Sequence, residues 1–325
     1  MGLFIAVALG WSPAPVHAQP LDIVNRCATG EGSDAAREVC RLAAQAIEIS
    51  QPRIGLAAAG GNPVPGTAST IGMRLASTPR VSVAARTTGV WVRLPPVRDV
   101  SRREGNGFIL PSINVDGAVG VFQGFSPVPT VGGVGSIDVL ASFGLVAAPG
   151  ASGISNGSTG TIGAGVRLGI LRESFLFPGV SLTGSYRRLG TITVGDPDLD
   201  RDDGFYRLSG NSVAGVRATV GKRILSVGAT AGVGYDRFRS NVRVGARDPA
   251  GEGAESWIRF GVDGVSTTRF TAFANVAWTM MILNLVGELG WQSGGERVPG
   301  ELPPGVRVEP GRRGLFGSLA ARLTI

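Results

Sequence analysis

The chain has 325 residues, a net charge of +7, 51 glycines, two cysteines, a single histidine and a mean hydropathy of +0.20. That histidine, His17, falls in the leading segment, so the rest of the chain has no imidazole for a Ser–His triad or a zinc site. Beyond that segment no apolar run approaches the roughly 18 residues of a membrane-spanning helix, yet the chain is unusually apolar for a soluble protein.

Residues Gly2 to Gly10 are apolar, and a Pro-rich stretch then leads to Val16-His17-Ala18. A small residue before the cut and an apolar one two positions earlier predict cleavage between Ala18 and Gln19, making 1–18 a signal peptide. Residues 19–52 are predicted as an N-terminal helical segment, with the helix over 21–50. Ser33 can cap it, Asp34 and Glu38 suit its positive end, and Val39, Leu42, Ala43 and Ile47 recur at helical spacing. In an oxidising periplasm Cys27 and Cys40 are expected to form a disulfide, closing a loop of about 14 residues worth roughly 3 kcal/mol. The sequence leaves open whether this segment hangs in the periplasm or plugs a barrel.

From residue 53 the pattern alternates. Ile162, Ala164, Val166, Leu168 and Ile170 oppose Thr161, Gly163, Gly165, Arg167 and Gly169. The same period of two recurs over 180–187, 225–236, 269–279, 283–292 and 315–325. Apolar overall but never apolar in long blocks, the chain reads as an all-β, antiparallel transmembrane β-barrel in a bacterial outer membrane, spanning 53–325. Long connections at 95–106, 148–159, 195–204, 240–266 and 294–312 alternate with short ones at 123–133, 172–178, Gly221-Lys222-Arg223 and Met281. That order places the long ones outside. It gives ten strands from about residue 80, and a further hairpin at 53–60 and 68–76 makes about twelve, in a range of about 10–14. A small hairpin is expected around Gly261 to Gly264, and both termini are expected in the periplasm.

The order of an N-terminal helical segment, then Gly60-Gly61-Asn62-Pro63 and Pro65-Gly66-Thr67, then an alternating barrel resembles outer-membrane proteins of the long-chain fatty-acid transporter type. The resemblance implies an N-terminal segment inside the barrel. It carries no ligand residues across.

The residues predicted to line the lumen are Asp116, Asp138, Arg167, Arg187, Arg217, Asp236, Asn275, Glu288 and Arg322. More Arg than acid on that face predicts a mild anion preference if the lumen is wet. Asp198, Asp200 and Asp202 resemble the start of a calcium loop, but Gly204 comes one position late and Ser209 stands where the bidentate Glu belongs. A solvated outer loop is the better reading, and no metal or cofactor is expected. No nucleophile motif or phosphate loop is present, so an enzyme is not expected. The basic residues form no aromatic-lined platform, which argues against nucleic acid. The expected partners are outer-membrane lipid, lipopolysaccharide and the barrel-assembly machinery. The predicted function is a porin-like passive conduit for small or lipophilic molecules in a Gram-negative cell. The alternative is a non-conducting structural or surface-binding barrel.

Overall fold

The computed structural model describes residues 20–325 apart from 30–32, 74–77, 103, 128–131, 151–152, 197–201, 250–256, 298–305, 307–310 and 312. The expected signal peptide lies outside the described residues. Two helices, α1 (Pro20–Thr29) and α2 (Asp34–Ala59), precede the strands β1 (Val81–Leu94), β2 (Asn106–Phe122), β3 (Ser136–Ala147), β4 (Ser158–Leu171) and β5 (Gly179–Leu189). Then come β6 (Ile192–Val194), β7 (Gly204–Ile224), β8 (Val227–Arg247), β9 (Trp257–Met280), β10 (Leu283–Gln292) and β11 (Gly314–Thr324).

Ten strands close on themselves, every pair antiparallel, through β1–β11 at one seam and β5–β7 at another. The short β6 adds to the outer end of β7, pairing Ile192 with Leu208 and Val194 with Tyr206. The barrel therefore has ten strands where twelve were expected. Residues 53–59 continue α2, and the stretch after them forms no strand before β1; Met73 makes only an isolated bridge to Pro79. Gly55 and Pro52 look like helix breakers, but the Leu-Ala-Ala-Ala run behind them has strong helix propensity, and burial inside a barrel holds it helical.

The alternation places apolar residues on the outer wall. On β8, Val227, Val233 and Tyr235 face outward; above them, on the same face, stand Arg237, Arg239 and Arg243. The apolar stretch matches the roughly 9–11 residues that a tilted strand needs to cross a bilayer, and the arginines mark where the belt ends. β7, β8 and β9 run 21, 21 and 24 residues, so they project well beyond it. The expected hairpin at Gly261 to Gly264 is instead a bulge within the β8–β9 ladder, where the register shifts between Ser240 and Val242. Gly264, at φ 70°, turns its N–H to Asn241 Oδ1 at 3.0 Å. The tight turn expected at 221–223 falls at Leu225, because pairing continues to Ile224 and Val227.

The tight turns at Leu225 and Met281 lie at one mouth of the barrel and the longest connection, between β10 and β11, at the other. The β2–β3 connection, expected to be short, is nevertheless longer than the β3–β4 and β8–β9 connections at the long-loop mouth. The N-terminal end of α2 is at the long-loop mouth, where the Ser33 N–H donates to Asp248 and α1 packs on β9. The Cys27–Cys40 disulfide ties α1 to α2 there, with Cα atoms 5.8 Å apart. Ile325 lies at the other mouth, its N–H donating to Val81 O at 2.9 Å. The two ends of the described chain are thus at opposite mouths, contrary to the expectation that both termini share the periplasmic side.

Candidate functional site: the plugged lumen

α2 lies inside the barrel, touching β1, β2, β3, β5, β7, β8 and β9. The choice left open between an appendage and a plug is decided for the plug. Its Ala36, Val39, Leu42, Ala43, Ile47, Ile54 and Leu56 pack against Val92, Leu94, Phe108, Leu208, Phe238, Val244 and other inward residues of the outer half. That half of the lumen is an apolar core. Gly55 allows the closest approach: a Cβ there would sit 2.3 Å from Phe238 Cε1 and 2.9 Å from Val213 Cγ2.

Ser33 starts the helix, its hydroxyl accepting from the Ala36 N–H at 3.3 Å. Pro52 lacks the N–H that would bond to the carbonyl of Glu48. Arg269 takes that carbonyl at 3.1 Å and also pairs with the Glu48 carboxylate. Gln51 bonds Ser240, Thr267 and the Val265 carbonyl, and Arg53 donates to Gln292 Oε1 at 3.0 Å. The polar stripe of α2 is thereby matched to the wall.

The helix ends at Gly60, φ 65°, whose N–H returns to Leu56 O at 2.8 Å. The wall satisfies the last carbonyls: Ser112 donates to Ala57 O at 2.6 Å, Arg187 to Ala58 O at 2.8 Å and Arg86 to Ala59 O at 3.2 Å. Two guanidinium groups at the negative end of the helix dipole are favourable. Glu288 then accepts from the N–H groups of Gly61 (3.1 Å) and Asn62 (2.9 Å), and Arg217 donates to Gly61 O at 3.2 Å. Asn62 closes its own turn, accepting from Val64 N and donating to Thr67 O. The Gly60-Gly61-Asn62-Pro63 motif is therefore the clamp point of the plug. Below it the chain descends to the short-turn mouth. There the Ile71 N–H donates to Asp138 at 3.0 Å, Thr70 meets Ser136 at 2.6 Å, and Ser69 accepts from Glu173 N at 3.0 Å.

All of the residues predicted to line the lumen lie on the inner face and are buried. Arg167 pairs with Asp138 at 2.6 Å and Arg217 with Asp236 at 2.6 Å. Asp116 stands between Arg86 (2.8 Å) and Arg187 (3.2 Å). The first contact is coulombic, its N–H directions not lining up as a hydrogen bond. Glu288 gathers Asn275 and Ser318 with the plug amides. Arg322 joins none of these groups. Sequence reasoning missed Arg86, Glu48 and Arg53. The signal for Arg86 was available, since Ser82, Ala84, Arg86 and Thr88 share the inward parity of β1. The helix residues carried no such signal, because their burial depends on the barrel around them.

Of the calcium-like loop, Asp198 and Asp200 lie outside the described residues. Asp202 is engaged by Arg98 Nε at 3.0 Å and by the Asp196 N–H at 2.8 Å, and the described residues hold no metal-like cluster. Beside it at the outer mouth is a hollow of about 350 Å³ lined by Leu94, Pro96, Val97, Arg98, Asp99 and Arg102. The Ser101 hydroxyl, and Arg102 beside it, hold the Asp99 carboxyl below the usual carboxylate range.

No family model matches the chain, and no curated protein matches it. Solved structures with a similar course of chain include the translocator domain of autotransporter NalP from Neisseria meningitidis, at 9% identity and TM-score 0.40, covering 75% of this chain and 88% of that one. The Pseudomonas putida toluene transporter TodX follows at 7% identity and TM-score 0.32, covering 82% and 96%. Ail of Yersinia pestis aligns at 9% identity and TM-score 0.28, covering 76% and 99%. This chain is an outer-membrane β-barrel. Its closed ladder and outward apolar belt rest on its own coordinates. Like any barrel of this class, it satisfies its backbone groups from strand to strand and leaves no free edge in lipid.

Proposed function

We propose that this barrel is closed at rest and serves as a non-conducting surface anchor. It carries its N-terminal, disulfide-joined helical pair to the outer mouth. The observation that supports this reading is the course of α2 and residues 60–72, which occupy the lumen from the long-loop mouth to the short-turn mouth. Most lumen charges pair with one another or hold plug backbone, where a wet pore would leave them facing water. The conduit reading, and with it the finer likeness to long-chain fatty-acid transporters, requires α2 to leave the barrel and expose its apolar inner face.

Two measurements test the proposal. In planar bilayers the purified protein should show no conductance steps at moderate voltage; regular steps from the wild-type chain would overturn closure. Lys222 is the only lysine. On a Lys222→Arg background, Asn25→Lys in α1 should be labelled on intact cells by a membrane-impermeant amine reagent well above the parent. Labelling only after the outer membrane is opened would place α1 on the wrong side.

A further inference from the structure

Arg322 is the exception among the lumen arginines. Its neighbours in kind each meet a carboxylate or a carbonyl: Arg86, Arg187, Arg217, Arg167 and Arg269. Arg322 is only 4% exposed, and its guanidinium makes no hydrogen bond or ion pair with any described residue; its Nε is buried without a partner. It lies two residues from the end of β11, opposite Ala84 on β1 and Asn284 on β10, near the short-turn mouth. Its cross-strand neighbour Ala84 is small and apolar, and the Asn284 oxygen is already taken by the Thr279 hydroxyl at 2.7 Å.

Two described side-chain carboxylates at this mouth, Asp138 and Glu173, are engaged elsewhere. Asp138 holds Arg167 and the Ile71 N–H, and Glu173 accepts the Arg223 N–H. The sequence over 74–77 and 128–131 contains no acidic residue. A buried guanidinium without a counter-charge is costly, whereas one that meets an oxyanion gains charge-assisted, bidentate hydrogen bonds.

We propose that Arg322, buried and unpartnered, forms an anion site at the short-turn mouth of the plugged lumen that takes a small oxyanion of the phosphate class. Because Arg322 points inward from β11, the ligand is a soluble anion and not a lipid headgroup. The site does not depend on whether the barrel conducts.

The test uses the full-length protein in non-ionic maltoside micelles, which contain no phosphate, titrated with inorganic phosphate at constant ionic strength. Binding is read from broadening of the phosphate ³¹P resonance. Wild type should show saturable broadening, Arg322→Gln should lose it, and Arg322→Lys should retain a weaker response. Arg322→Gln is expected to fold, because it removes an unpaired charge and leaves no carboxylate behind. Circular dichroism and heat-modifiable gel mobility check this. An exposed variant, Arg188→Gln, should behave as wild type. Equal broadening in wild type and Arg322→Gln, or none in wild type, would overturn the site. Phosphatidylglycerol added to the micelle should leave the titration unchanged; a headgroup that displaces phosphate would overturn the inward placement.

Discussion

Asp116→Asn tests how the plug is held. The carboxylate is 6% exposed and stands between Arg86, 2% exposed, and Arg187, 6% exposed. The substitution keeps the shape and removes the charge, so two buried cations lose their common counter-ion. Removing one partner of a buried pair costs about 3–5 kcal/mol. Here both arginines keep plug carbonyls, Arg187 that of Ala58 and Arg86 those of Ala59 and Asn62. The lower end of that range, about 3 kcal/mol, is therefore expected. Arg187→Gln should cost less, about 1–3 kcal/mol, because Asp116 keeps Arg86. The assay is urea unfolding of the refolded barrel in micelles, followed by tryptophan fluorescence, with amide exchange at Ala57 to Asn62. Those amides should exchange faster in Asp116→Asn while the strand ladders stay protected. An Asp116→Asn cost below about 0.5 kcal/mol, within the range of an ordinary surface change, would refute the clamp. So would a larger cost for Arg187→Gln than for Asp116→Asn.

Leu168→Arg or Val227→Arg, both on the outer face, should lower stability by about 2–4 kcal/mol in bilayers, and Leu168→Ala far less; indifference to the cation would argue against a lipid-facing wall. Thr230→Arg, on the opposite face of β8, would be mild in a wet lumen, but Thr230 is buried, so impaired refolding is expected there too. Gly55→Ala should cost about 1–3 kcal/mol by overpacking against Phe238, measured as a lower urea midpoint; an unchanged midpoint would mean α2 does not seat as described. Replacing Cys27 and Cys40 together with Ser should loosen α1 by roughly 3 kcal/mol in the chain-entropy model, read as faster proteolysis of the outer pair without loss of the barrel.

The period of two was legible because a strand in this wall meets lipid on one side and the lumen on the other. Leu168 and Arg167 could be assigned to opposite faces without any coordinates. The pairing of Cys27 with Cys40 was legible from their being the only two cysteines, whereas connection lengths were legible only in part, since most of the expected 240–266 loop is strand. Turn positions slipped by a few residues, as at Leu225, because pairing outlasts the local turn signal.

What the sequence could not determine was what fills the middle. α2 is marginal as an isolated helix past Pro52, and its Gly55 and Arg53 look unfit for a buried helix. Only the closed wall supplies Arg269 for the carbonyl freed by Pro52, Phe238 for the gap at Gly55, and Gln292 for Arg53. The direction of threading, with α1 at the outer mouth, is likewise a property of contacts between Ser33 and Asp248 that lie 215 residues apart. Local periodicity determined the wall; long-range pairing of buried charges and apolar faces decided that the wall is closed around its own N-terminal helix.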